Sequence, residues 1–359
     1  MIFELIQIAL GVRERLSHPL TPEEWDGLFA EAQKQSVAGI AFEGVQRLPS
    51  DQWPPQVLLY EWIGAAESIR KRNVLLDRQC MKLQKRLGEA GIRSSILKGQ
   101  GVARCYRLTE QESRKENLAA LRQPGDIDVY VDCGRERALL FARHCGMKDV
   151  AWDYKHLHLD VFHDTEVEVH YRVEVLLNLW KNRKLQKWFK EHEELLFSQN
   201  GELTTPTIGF NRFYILLHIY RHFLYEGVGL RQLLDYYFVL KANTNLADDP
   251  NVSDLLKRFG MWKFGRGVMW ILQVAFGLER EYMIGEPLES EGRFILQEVM
   301  AGGNFGHHDE RLLSGKGGKL QTLKKVVKHN AHLLWHYPVE ILWPPVWFAW
   351  HKCWKLAHR

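Results

Sequence analysis

"RQPGDIDVYVD", from Arg122 to Asp132, alternates apolar and polar residues like a β-strand, yet sets two carboxylates, Asp126 and Asp128, on one face. Residues i and i+2 of a strand project to the same side, about 6.5–7 Å apart at Cα, while Ile127, Val129 and Val131 face the other side. Ionised carboxylates this close raise each other's pKa, and burying either costs several kcal/mol unless a positive charge compensates. A wetted strand face with solvated acids is one explanation. The other is a divalent cation, because carboxylates that repel one another become stable when they share a hard ion such as Mg²⁺.

Upstream, "SILKGQG" (Ser95–Gly101) predicts a strand over Ser94–Leu97, a turn at Lys98 and Gly99, and a helix from Val102. Backbone N–H groups at such a helix start attract anions, Gly permits close approach and Lys adds a point charge, which outlines a phosphate cradle. Between the two strands, "RLTEQESRKENLAALRQPG" (Arg107–Gly125) is polar and charged and is expected to be a surface insertion. Downstream, "GRERALLFARHCGM" predicts a helix, and "HLHLDVFHDTEVEVHYRVE" (His156–Glu174) predicts a hairpin turning at His163–Thr165. Its second strand puts Glu166, Glu168 and His170 on one face and Val167, Val169 and Tyr171 on the other. Laid antiparallel to the Asp126 strand, it would gather three carboxylates. His156, His158 and His163 lie on or near the turn, where solvated histidines or a zinc site would each account for them.

The rest of the chain is helical in pattern. Thr21 as N-cap, Pro22 at the first helical position and two acids in the first turn open one helix, and a long amphipathic one ends near Gly91. After Leu176 helical spacing is expected to continue to the end. The expected fold is α+β, with a small mixed or antiparallel sheet core at 92–176 between helical regions at 1–91 and 177–359.

Composition sets further bounds. The chain has 359 residues and a formal net charge of +4 spread along its length, which does not mark a nucleic-acid binder. The basic run "GKGGKLQTLKKVVKH" is better explained as a solvated helix face than as a nucleic-acid contact. Five cysteines without a CxxC pair argue against a disulfide framework and suit a reducing cytoplasm. Nowhere do the roughly 20 uninterrupted apolar residues of a spanning helix occur. At the C-terminus, "VEILWPPVWFAWHKCWKLAHR" is broken by Pro344 and Pro345; it suits a Trp-rich helix docked on the protein's own core better than a peripheral membrane anchor.

The order strand, Lys-Gly turn, helix, "GDID" strand, "VEVH" strand resembles the DNA polymerase β-like nucleotidyltransferase superfamily. Within it the chain is similar to bacterial putative nucleotidyltransferases that share an LKG…R…GDID…H pattern. That resemblance implies Asp126, Asp128 and Glu168 as catalytic residues and ligands of Mg²⁺ or Mn²⁺. The third acid of the pattern is more often Asp, so Glu166 is a rival to Glu168. It also implies Lys98, Gly99, Arg122, Gly125, His218, Arg231 and Asp235 on the nucleotide, an NTP that is ATP by default. His218 and His222 share a helical face, as do Arg231 and Asp235, for which packing and an intrahelical ion pair are the plainer explanations. The implied reaction moves a nucleoside monophosphate to a hydroxyl acceptor, a small molecule or protein rather than nucleic acid. The alternative is a catalytically inactive nucleotide-binding or regulatory protein on the same scaffold.

Overall fold

The structure, a computed structural model, describes residues 1–108, 117–242, 250–303 and 332–358. The basic run at 315–329 lies outside them. Two compact units emerge: Met1–Leu75 with Val102–Pro124 and Asn211–Asp309, and Leu76–Gly101 with Gly125–Phe210 and Glu310–Arg359.

The first unit is helical. It contains α1 (Ile2–Ala9), α2 (Pro22–Lys34), α3 (Ala38–Arg47), the first part of α4 (Gln56–Glu89), α5 (Gln100–Leu108) and the short α6 (Leu118–Leu121). It continues with α7 (Ile208–Tyr225), α8 (Leu230–Lys241), α9 (Val252–Phe259), α10 (Trp262–Phe276) and α11 (Glu289–Gly302). Helix α2 starts as its sequence predicts, in a capping box: the Thr21 hydroxyl accepts from the Glu24 N–H and the Glu24 carboxylate accepts from the Thr21 N–H. Trp25, Trp62, Phe213, Tyr220, Tyr236 and Phe264 fill its interior. The expected surface insertion is corrected in part. Residues 109–116 lie outside the described residues, but Leu118, Ala119 and Leu121 are buried, because Asn117 caps a helical turn whose three apolar side chains find the core.

The second unit carries the sheet: β1 (Ser94–Ile96), β2 (Ile127–Val131), β3 (His156–His158) and β4 (Val167–His170), in the order β1-β2-β4-β3. Ile127, Val129, Val131, Leu157, Val167 and Val169 pack against Leu76, Cys80, Leu83 and Leu87 of α4. That spacing along α4 presents one helical stripe. Ala138, Phe141 and Ala142 of α12 (Gly134–His144) complete the same core. The opposite sheet face is therefore the one that holds Asp128, Glu168 and His170.

One expectation fails in direction. Strands β2 and β4 pair parallel, not antiparallel, with Asp128 directly opposite Glu168. The chain between them contains α12 and β3, long enough for a crossover, so β4 re-enters the sheet running the same way as β2. The hairpin itself forms as expected between β3 and β4, closed by a bridge from Phe162 to Thr165.

A second correction concerns the C-terminal half, which is not helical throughout. After α13 (Leu179–Glu191), β5 (Ser198–Asn200) and β6 (Leu203–Thr205) make a small antiparallel hairpin. Asn200-Gly201 turns it, with Gly201 at φ 64°, and the Gln84 side chain exchanges two 3.0 Å hydrogen bonds with the Thr204 backbone. At the end of the chain, α14 (Pro338–Leu342) gives way at Trp343 to α15 (Pro344–Ala357). Trp347, Trp350 and Trp354 of α15 meet Tyr154 edge-on at 5.0–5.5 Å, so this helix docks within its own unit. Among the described residues no helix is long and apolar enough to cross a membrane.

Candidate active site

Strand β1 hands over to α5 through Lys98 and Gly99. Gly99 takes φ 55°, a left-handed conformation that favours glycine. Two residues on, a Cβ on Gly101 would stand 2.3 Å from the carbonyl oxygen of Ile96. Backbone cannot give way as a side chain can, so Gly101→Ala is expected to cost about 1–3 kcal/mol, read as a melting temperature lowered by several degrees. The tight turn aims Lys98 at the sheet, and its Nζ lies 2.8 Å from Asp128 Oδ1.

Asp128 is the buried centre of the site. Its Oδ1 also lies 2.9 Å from His170 Nε2, which is 3.1 Å from Glu168 Oε2. Burial works against the charged form of Asp128, but Lys98 and then His170 outweigh it and hold the carboxyl well below its usual range. Glu168 is likewise held low, with the His170 bond overcoming burial. His170 itself is driven up against its burial by the two carboxylates, and Lys98 is driven up by the acids around it. Asp126, exposed just before β2, is the exception: the charge of Asp128 raises its carboxyl. The carboxylates of Asp126, Asp128 and Glu168 thus share their surroundings with Lys98 and His170. The carboxylate oxygens of Asp128 and Glu168 are donors of the kind that a hard divalent cation takes.

Among the described residues two groups bring ligand atoms within 4.8 Å of one another: Asp128, Glu168 and His170, and His156, His158 and Glu168. Asp126 belongs to neither. His170 is a site residue that the motif alone does not single out, although its place two residues after Glu168 in "VEVH" assigns it to the same strand face. Glu166, the rival third acid, points to His158, whose Nδ1 is 3.1 Å from its carboxylate.

The remaining sequence candidates divide by unit. Lys98, Gly99, Gly125, Asp126, Asp128 and Glu168 belong to the second; Arg122, His218, Arg231 and Asp235 belong to the first. Arg122 spends its guanidinium on a fork to Asp235, at 2.7 and 2.8 Å, and Asp235 also accepts from the Tyr106 hydroxyl. His218 and His222 stack edge-on at 4.1 Å, and His222 Nδ1 is 2.9 Å from Glu226.

His156 carries a pH signature. Burial, and then the neighbouring His170, push its imidazole down to about 4. An unfolded chain therefore takes up a proton near pH 6.5 that the folded one refuses until about pH 4, so stability falls as pH drops through that window. The slope is at most about 1.4 kcal/mol per pH unit for one proton. Urea unfolding midpoints measured from pH 7 to 4.5 should fall less steeply in His156→Gln. Asp128 and Glu168, held low, lose their contribution only below the ordinary carboxylate range, outside this window.

A family model described as "Uncharacterised nucleotidyltransferase" matches residues 21–277. No curated protein and no solved structure matches the chain.

Proposed function

The chain belongs to this family of uncharacterised nucleotidyltransferases, and from that premise we propose that it transfers a nucleoside monophosphate from an NTP to a hydroxyl acceptor. The observation that carries the proposal is the register of β2 and β4, which sets Asp128 opposite Glu168 with Lys98 on the same aspartate. In the reaction the acceptor oxygen bonds to the α-phosphorus, the bond from that phosphorus to the β-phosphate bridge breaks, and the hydroxyl proton passes to solvent as pyrophosphate leaves.

Asp126, Asp128 and Glu168 would hold Mg²⁺ or Mn²⁺, which when bound supplies Lewis acidity toward phosphoryl oxygens and offsets their charge. Lys98 adds a fixed positive charge beside the acids, and the left-handed turn at Gly99 gives phosphate oxygens access to backbone N–H groups. Gly125 precedes the first acid without a side chain to crowd it. His170 fixes the carboxylates of Asp128 and Glu168, so both keep their orientation when substrate arrives. ATP is the default donor and a small-molecule or protein hydroxyl the favoured acceptor.

The test supplies each of the four NTPs with Mg²⁺ or Mn²⁺ and a panel of hydroxyl acceptors, and measures pyrophosphate release. Release that requires metal supports the proposal. One observation favours a second reading, nucleotide binding without transfer: Asp128 Oδ1 is already met by both Lys98 and His170. That reading requires NTP binding by wild type with no pyrophosphate released under any condition.

A further inference from the structure

The edge of the sheet beyond the carboxylates carries a different donor set. His156 and His158 stand two residues apart on β3, and His158 lies directly across from Glu168 in the register of β3 and β4. All three side chains share the face opposite the apolar core, since Leu157, Val167 and Val169 point the other way. Their ligand atoms lie within 4.8 Å of one another. We propose that His156, His158 and Glu168 form a binding site for one divalent transition-metal ion of the zinc type.

Ligand chemistry sets the choice of ion. Mg²⁺ seeks oxygen donors and keeps its waters, whereas two imidazoles and one carboxylate suit Zn²⁺ and its first-row neighbours. Three protein donors also leave a coordination position open, as in catalytic rather than structural zinc sites.

Three further observations support a built site. Glu166 Oε1 lies 3.1 Å from His158 Nδ1, the outer carboxylate that fixes a ligand histidine's tautomer and leaves its Nε2 lone pair available. The Nδ1 of His156 is buried, has no hydrogen-bond partner and faces Glu168 Oε2 at 3.4 Å. Finally, a cavity of about 390 Å³, lined by His158 and its outer carboxylate Glu166 among others, opens on the His158 side of this edge.

The proposal shares Glu168 with the carboxylates of the proposed transfer reaction, and its experiment reads metal binding alone, so that its failure and the failure of that reaction are distinguishable. Tag-free full-length protein, stripped with a chelator, is titrated with Co²⁺ and followed by its visible ligand-field absorption. With millimolar Mg²⁺ present throughout, one equivalent of Co²⁺ should bind and Zn²⁺ should displace it. His158→Ala should weaken Co²⁺ binding at least tenfold, and Glu166→Gln, which removes only the outer carboxylate, should weaken it roughly 10–100-fold. Both side chains are substantially exposed, at 43% and 65%, so circular dichroism should report an unchanged fold. Absence of ligand-field bands at stoichiometric Co²⁺, or bands unchanged in His158→Ala, would each overturn the site.

Discussion

Asp126→Asn is expected to abolish metal-dependent pyrophosphate release, by a thousandfold or more, while the melting temperature stays at or slightly above the wild-type value. About 4 kcal/mol of lost charge stabilisation at the transferring phosphoryl group corresponds to that factor. Stability behaves differently because the Asp126 carboxyl is raised by its neighbour Asp128. Its ionised form is disfavoured in the folded chain, so removing that charge near pH 7 relieves repulsion. Asp128→Asn makes the contrast. It too should stop transfer, but Lys98 and His170 would lose the buried carboxylate that both of them meet, and the melting temperature should fall with the activity. Loss of fold in Asp126→Asn, or transfer at the wild-type rate, would remove Asp126 from the proposed mechanism.

The largest effect on stability is expected far along the chain. Arg122 and Asp235 are both buried, at 3% and 7% exposure, and meet through two hydrogen bonds. Truncation of one partner leaves the other a buried charge without its fork, a loss of about 3–5 kcal/mol. At about 2–4 °C per kcal/mol, Arg122→Ala should melt about 10 °C below wild type. The double variant Arg122→Met with Asp235→Leu should recover much of that loss, because replacing a buried pair by apolar groups of similar volume is often neutral. Equal melting temperatures for the single and double variants would show that the pair contributes through packing alone. Arg122 sits in the "RQPGDID" stretch only four residues before Asp126, yet its partner lies 113 residues away.

The candidate site is legible in part from local pattern. Alternation over Ile127–Val131 announces a strand with acids on one face, "LKG" announces the turn, and Thr21 with Glu24 announces a helix start. Each depends on interactions within a few residues, and each appears in the structure. The β5–β6 hairpin is not legible in the same way, because its strands have three residues each, too few for a period to declare itself.

Side-chain alternation, capping and turn chemistry are properties of short segments, so the amino-acid order alone marks the longer strands, the helix starts and the turns, and sets Asp128 and Glu168 each on a polar strand face. Chain path decides the rest. Only the crossover through α12 makes β2 and β4 parallel and brings Asp128 opposite Glu168, and only that register puts His170 on Asp128 across 42 residues. The strand pattern is indifferent to direction, since alternation reads the same for a parallel and an antiparallel neighbour. The connection selects between them, while packing of one apolar face on α4 fixes the side of the sheet on which the charges of the site meet.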